Sequence, residues 1–345
     1  MKYLMISING LSEVGGVERV AYYIKSIFEE KKINLEIISK NELEEKFKIL
    51  KIMKFILKKR LNNIYPFFNS LYLYLYKKDY FIISHGFSNP FFKNDILFAH
   101  GSTVGYLKIL KKRMNFQSIL EYFAGKNSKK IIAVSHETKR EWQENYNLSL
   151  VEIEVLNNCV DTLKFNINSK IKNTFYKNII FCGRLEERKG IKKVLELAKK
   201  IEKKQKYKLM IATFRTESIK LFQGLKNTEM RLDLNLEEIT KFYSEGDILY
   251  FPSLYEGFEM VTLEALASGI PVLGNDVGGI AELVRRKVPG VYLIDEEKEI
   301  LEQIDEILER NESIEEKNKI FNEIEKNYSK DIYKKKLSKL LFNKN

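Results

Sequence analysis

The chain has little of what would mark several protein classes. Among 345 residues there are two cysteines, Cys159 and Cys182. That is too few for a disulfide framework or a cysteine-rich metal site, and a reducing cytoplasm is the simplest setting for them. No apolar run approaches the roughly 18 residues that would span a bilayer. The opening MKYLMISING reads as a short strand, not a secretion signal, so a soluble or peripheral protein is expected. Repeats and low-complexity tracts are missing, and with 44% hydrophobic and 31% charged residues the composition is that of a globular chain, not a disordered one. There is no Asp-x-Asp motif, no His/Cys cluster and no recognisable nucleic-acid module.

What is present begins with length and charge. The length suits two α/β domains of roughly 100 to 200 residues each. The net charge of +12 is uneven: residues 1–163 carry 25 basic and 17 acidic side chains, a net of +8, and the remainder +4. From Lys46 to Lys78 there are nine basic residues, eight aromatics and no acidic one. Helical periodicity over Lys46–Leu61 gives one apolar stripe of Ile49, Ile52 and Ile56. A second carries Leu50, Met53 and Leu57, with Lys51, Lys54 and Lys58 beside them. Tyr65, Phe67, Phe68, Tyr72, Tyr74 and Tyr76 follow. Such a pattern suits a helix lying on an anionic membrane surface; the same stripes could equally be core with a solvated lysine face. High Lys, Ile and Asn usage points to an AT-rich bacterial genome.

The richest stretch runs from Asp247 to Val284. A buried strand at Ile248–Phe251 ends at Pro252-Ser253, a polar loop brings in Glu256, and a helix runs through Met260, Leu263, Glu264 and Leu266 until Gly269-Ile270-Pro271 stops it. A second strand then leads to Gly278-Gly279 and a new helix. In a parallel sheet the loops after the strands collect on one edge, so Glu256 and the glycine turn should share a crevice. A glycine turn before a helix offers N–H groups and a positive dipole end to a phosphate, and carboxylates suit sugar hydroxyls. Earlier, the strand at Asn178–Cys182 feeds Gly183-Arg184, and Arg184 and Lys189 flank one turn where both cations could meet one diphosphate. The strand at Tyr3–Ile8 feeds a loop holding Gly15 and Gly16, where backbone can approach a ligand closely, and then a helix at Val17–Glu30. Strands at Phe81–Ser84, Ile96–Ala99 and Ile131–Ser135 follow, and a further one is expected at Lys208–Ala212. His85 and His100 stand at strand ends, a position usually satisfied by backbone.

Several motifs occur together in one order: Gly15-Gly16-Val17-Glu18-Arg19, Asn158-Cys159-Val160-Asp161, Gly183-Arg184-Leu185-Glu186-Glu187-Arg188-Lys189-Gly190, and Glu256 and Glu264 spaced E-x7-E. On these the chain resembles glycosyltransferase family 4 over most of its length. The resemblance implies an α/β GT-B fold of two Rossmann-like doubly wound domains facing a cleft. Residues 1–163 would bind acceptor, residues 164–328 nucleotide sugar, and residues 329–345 would form a helix returning to the first domain. It implies retaining transfer from a nucleoside-diphosphate sugar, without a metal or other cofactor. Arg184 and Lys189 would hold the diphosphate, Glu256 the donor sugar, and Glu264 the ribose. His100 would face the sugar, while His85 matches a more structural position. Gly15, Gly16, Gly257, Phe258, Glu259, Met260 and Val261 complete the donor site. Two positions depart from the pattern: Cys159 stands where glycine is expected, and Glu259 where relatives carry a small residue.

The reading is a hexosyltransferase acting on a lipid-linked or cell-envelope glycan, peripheral at the cytoplasmic membrane face through residues 46–78, with no nucleic-acid partner. The alternatives are the same chemistry on a soluble small molecule or protein, and a basic nucleic-acid-binding protein in which the α/β scaffold is incidental.

Overall fold

The computed structural model describes residues 1–13, 15–57, 63–167 and 175–342. They form two units, Met1–Asn157 with the segment from Lys334, and Asn158–Tyr333. Each holds a six-stranded sheet whose strand pairs are all parallel. With the flanking helices, each unit is a Rossmann-like α/β layer structure, and the pair of them makes a GT-B fold.

In the first unit the order along the chain is β1 (Lys2–Ile6), α1 (Val17–Glu30), β2 (Leu35–Ile38), α2 (Lys40–Lys46), α3 (Lys48–Leu57) and α4 (Tyr65–Tyr76). Then come β3 (Tyr80–His85), β4 (Asn94–Ala99), α5 (Thr103–Ile109), α6 (Phe116–Lys126), β5 (Ser128–Ala133), α7 (His136–Asn145) and β6 (Glu152–Val155). The spatial order is β2-β1-β3-β4-β5-β6. Parallel strands covered on both faces are largely apolar; every side chain of β4 is buried, Ile96–Ala99 among apolar neighbours and Asn94 and Asp95 through hydrogen bonds to the Asn89 carbonyl and the Ile82 amide. Helix α1 turns Val20, Tyr23, Ile24 and Ile27 inward, the stripe its spacing predicts. Ser135 caps α7 through the Thr138 amide, 3.0 Å away.

The stretch expected as one helix from Lys46 to Leu61 is divided. Phe47 leaves helical geometry (φ −119°, ψ 86°) and drives its ring against Phe68 and Tyr72, at 5.1 and 6.5 Å. A large ring drawn to the core outweighs helix continuity here. The two apolar stripes also separate: Leu50 is in the core and Met53 packs against it, while Ile49, Ile52 and Ile56 are exposed, as are Lys51 and Lys54. Lys58 and Leu61 lie outside the described residues, as does the Leu57 side chain. The aromatics divide likewise. Tyr65 and Tyr72 are core, and Tyr65 donates its hydroxyl to the buried Glu44 carboxylate; Phe67, Tyr74 and Tyr76 are exposed.

The second unit runs β7 (Lys177–Cys182), α8 (Ile191–Ile201), β8 (Tyr207–Thr213), β9 (Thr228–Leu232), α9 (Leu236–Glu245), β10 (Ile248–Phe251), α10 (Met260–Ala267), β11 (Val272–Gly274), α11 (Gly278–Arg285), β12 (Val291–Leu293), α12 (Ile300–Arg310) and α13 (Ile314–Tyr328). The spatial order is β12-β11-β10-β7-β8-β9. By its contacts the unit takes in residues from Asn158, where Asn158 Nδ2 donates to the Phe258 carbonyl at 2.7 Å and Val160 pairs with Ser329. Cys159 is buried and its backbone is not left-handed, so this turn does not need the glycine that the resemblance suggests. The last helix, α14 (Lys330–Phe342), begins in this unit, and from Lys334 onward the chain belongs to the first. There Phe342 packs on Tyr3 and Phe28 at 6.0 and 5.0 Å.

Candidate active site

In the second unit the site grows from the ends of β7 and β10, adjacent strands in the centre of the sheet. After β7, residues Glu187–Lys189 make one turn of 3-10 helix that ends at Gly190 (φ +74°), and α8 begins. After β10, the Leu254 amide donates to the Arg188 carbonyl at 2.8 Å, with the Ser253 hydroxyl oxygen 3.0 Å from the same carbonyl. The two loops are thus one piece.

Glu256 is buried where these loops meet. Lys189 Nζ sits 2.6 Å from its Oε1, Ser253 Oγ donates to the same oxygen at 2.6 Å, and Arg188 Nη1 reaches Oε2 at 3.2 Å. Arg188 also donates to the Tyr255 carbonyl at 3.0 Å. Lys189 lies over the Phe251 ring, 4.9 Å from its centroid, a cation–π contact in a partly desolvated place. A carboxylate accepts about four hydrogen bonds. Three described donors leave Oε2 with one further position.

The sequence expectations meet different fates. Glu256 and Lys189 are brought into direct contact. Arg184, 57% exposed, pairs with Glu186 at 3.1 Å and stands apart from that contact. Arg188 belongs to the cluster, although only its neighbours in the motif were singled out. Its position one residue before Lys189 in a 3-10 turn was the available signal. Glu264, in the middle of α10, is buried and accepts from the Tyr243 hydroxyl at 2.9 Å. Gly257, Phe258 and Met260 are buried at the start of α10, with Val261 partly so; the Phe258 ring stacks on Tyr328, 6.2 Å away.

The helix start at Gly278-Gly279 departs from expectation. Its Gly279 and Ile280 amides, expected to face a phosphate, donate to Glu259 at 2.9 and 3.0 Å, and Thr262 Oγ1 adds a third bond at 2.7 Å. A carboxylate from the same chain caps α11. Gly278 (φ +55°) permits the approach, since a Cβ there would stand 2.4 Å from the Glu256 Cβ.

Burial, with Glu256 nearby, pushes the Glu259 carboxyl up from its ordinary 4.5 to about 7. A carboxyl raised in the folded state favours folding most when protonated. Its contribution is fully present below pH 4.5 and lost as pH rises through about 7. The stability of wild type relative to Glu259→Gln should therefore fall between about pH 5 and pH 8, by at most about 3 kcal/mol. Thermal melts of both proteins at the two pH values measure this, and a constant difference refutes it.

In the first unit, Gly15 (φ +100°) and Gly16 precede α1, and a Cβ on Gly15 would meet the Glu18 carboxylate at 2.8 Å. Arg19 anchors the loop by donating Nε to the Glu13 carbonyl at 2.8 Å. His100 follows β4 and contacts His85, the last residue of β3, at 2.9 Å between ring nitrogens.

Comparison with known proteins agrees with this architecture. Residues 164–327 match the family "Glycosyl transferases group 1" and residues 14–164 match "Glycosyltransferase Family 4". An uncharacterised glycosyltransferase of Methanocaldococcus jannaschii is 29% identical over 191 residues, 50% of this chain and 49% of that protein. An uncharacterised 42.6 kDa protein in the cps region of Klebsiella pneumoniae is 28% identical over 229 residues, 65% of this chain and 55% of that one. The chain spans about half the length of the curated relatives it matches. Among solved structures, sucrose-phosphate synthase from Thermosynechococcus elongatus superimposes with TM-score 0.75 at 14% identity, over 99% of this chain and 98% of that one. WaaG, a glycosyltransferase involved in lipopolysaccharide biosynthesis, does so with TM-score 0.73 at 15% identity, over 99% and 100%. Both halves of the chain thus match glycosyltransferase family models, and the fold is that of the GT-B structures on which it superimposes.

Proposed function

We propose that the chain is a retaining glycosyltransferase that moves a sugar from a nucleoside diphosphate to a hydroxyl of a lipid-linked or envelope glycan. The observation that carries this is the Glu256 cluster, a buried carboxylate fixed by Lys189, Arg188 and Ser253 with one acceptor position left. The barrier to such transfer lies in charge growing on the departing diphosphate and on an oxocarbenium-like sugar. Lys189 has three N–H donors and spends one on Glu256; the others suit phosphate oxygens, with the exposed Arg184 as a second cation. Glu256 then orients a donor-sugar hydroxyl and Glu264 meets the ribose. Cations of the chain neutralise the phosphates in this reading, so we expect no metal requirement. In retaining transfer the leaving phosphate itself takes the acceptor proton.

The envelope acceptor rests on surface chemistry of the first unit. Helix α3 exposes Ile49, Ile52, Phe55 and Ile56 beside Lys51 and Lys54. The exposed rings of Phe67, Phe91 and Phe123 follow one another at 6.3 and 5.6 Å, and Lys111, Lys112 and Arg113 are exposed between α5 and α6. An exposed apolar band edged with lysine and arginine fits the headgroup region of an anionic leaflet, to which each basic residue adds about 1 kcal/mol. Among the described residues no helix is long and apolar enough to cross a membrane. The relative in a cps region and the lipopolysaccharide enzyme WaaG are consistent with an envelope glycan.

The test is a panel of nucleoside-diphosphate sugars, assayed without added metal for thermal shift and slow hydrolysis, comparing wild type with Glu256→Ala. One donor should stabilise wild type and be hydrolysed by it alone. No response to any donor, with or without divalent metal, overturns the transferase reading. Flotation with anionic vesicles tests the surface: protein that stays with the soluble fraction would favour a soluble acceptor.

A further inference from the structure

The chain contains three histidines, and two of them meet. Strands β3 and β4 pair in parallel with His85 opposite Phe98. His100 lies two residues beyond Phe98 and so returns to the same side. His85 Nδ1 and His100 Nε2 are 2.9 Å apart. The ring centroids are 5.2 Å apart with planes 21° from parallel, the arrangement of two imidazoles joined nitrogen to nitrogen nearly in one plane. Phe98 lies beside both rings, at 5.2 and 6.5 Å.

The backbone after His100 is held from two further helices. Trp142 of α7 donates its indole N–H to the Gly101 carbonyl at 2.7 Å. Glu121 of α6, buried, accepts from the Thr103 amide and hydroxyl at 2.8 and 2.6 Å. These bonds fix the backbone that carries the His100 ring.

Desolvation pushes the pKa of His85 well below the usual histidine value and that of His100 down to about 4, so both rings are neutral at neutral pH. Two neutral imidazoles in contact share one proton, and which of them donates it decides the remaining nitrogens. His85 Nε2 is buried with no hydrogen-bond partner among the described residues. If His100 donated from Nε2, the proton of His85 would have to sit on that Nε2, an N–H buried without an acceptor. Orphaned N–H groups are rarer in native structures than under-used acceptors.

We propose that His85 donates from Nδ1 to Nε2 of His100 and thereby holds His100 in its Nδ1–H tautomer. His100 then offers its remaining nitrogen as an N–H donor and not as a base. Toward a sugar substrate it can donate to a hydroxyl or carbonyl oxygen, and it cannot take a proton from an attacking hydroxyl. His85 is a positioning residue for that donor. The catalytic consequence rests on the transferase reading above; the tautomer does not.

The experiment is long-range proton–nitrogen correlation of the three imidazoles in nitrogen-15-labelled protein at neutral pH. His85 and His100 should each carry one proton, on Nδ1. A proton on His100 Nε2 overturns the assignment. In His85→Asn the amide nitrogen still donates to Nε2, and His100 should keep its Nδ1–H form; in His85→Leu it should shift at least partly to Nε2–H. An unchanged tautomer in His85→Leu overturns the role given to His85. Should that variant fail to fold, the wild-type and Asn spectra decide by themselves. With a donor that wild type turns over, His85→Leu should lower kcat about tenfold with donor KM little changed, the cost of one misdirected hydrogen bond, and His85→Asn should recover most of it. If wild type turns over no donor while the spectra are as expected, the transferase reading falls and the tautomer assignment stands.

Discussion

Lys189→Ala should lower turnover of the cognate nucleotide sugar by at least 100-fold, while the protein still melts cooperatively. Removing one preorganised group from developing charge typically costs this much, and here two effects coincide. The side chain supplies a cation for the departing diphosphate in the proposed reaction, and it is also the closer of the two cations paired with buried Glu256, at 2.6 Å. Without it the carboxylate keeps Ser253 and Arg188 but has lost half of its neutralising charge, and its orientation toward a sugar hydroxyl loosens. Steady-state turnover with the donor found by screening is the measurement. Activity within about threefold of wild type would mean that the Lys189–Glu256 pair is a structural ion pair and that the donor phosphates bind elsewhere.

Gly190→Ala should destabilise the second unit by roughly 3 kcal/mol, combining about 1–2 kcal/mol for a left-handed non-glycine residue with a similar cost for overpacking. The reason is steric and local. Gly190 has φ +74°, and a Cβ there would stand 2.1 Å from the Pro252 carbonyl oxygen and 2.8 Å from its carbon. Backbone must move, and this backbone joins the turn bearing Arg188 and Lys189 to the one bearing Ser253 and Glu256. Melting should fall by about 10 °C for a domain of this size, with activity lost alongside. A melting temperature within about 2 °C of wild type would show that the two loops are not locked together as described.

The sequence made the interior of both sheets legible and left their margins unread. Strands β1, β3, β4, β5, β7, β8, β10 and β11 stand where apolar runs predict them. The strands that pattern reading passed over are β2, β6, β9 and β12, and these are the four sheet edges. An edge strand has one neighbour and is only half covered; β9 has all five residues at intermediate burial, so it lacks the apolar run that betrays a central strand. In the candidate site, spacing and residue type found Glu256 and Lys189. They could not find that Arg188 turns inward while Arg184 turns toward Glu186, since that depends on how a 3-10 turn points successive side chains. Nor could they explain Glu259, whose purpose is visible only when the Gly279 and Ile280 amides are seen to end on it. The two apolar stripes of residues 48–57 presented the same difficulty. Periodicity revealed both, and only packing showed that Leu50 is interior and Ile52 is not.

The segment from Lys334 to Phe342 belongs to the first unit, yet the whole second unit, Asn158–Tyr333, intervenes in the chain. On a ribosome, residues 1–157 emerge first but still lack the Phe342 ring that covers Tyr3 and Phe28. The second unit is a continuous stretch and can close as soon as it has been made. The usual order of synthesis, in which the amino-terminal domain matures first, is then reversed for the final step. The first domain waits, with part of its aromatic core uncovered, for residues made after its partner has folded.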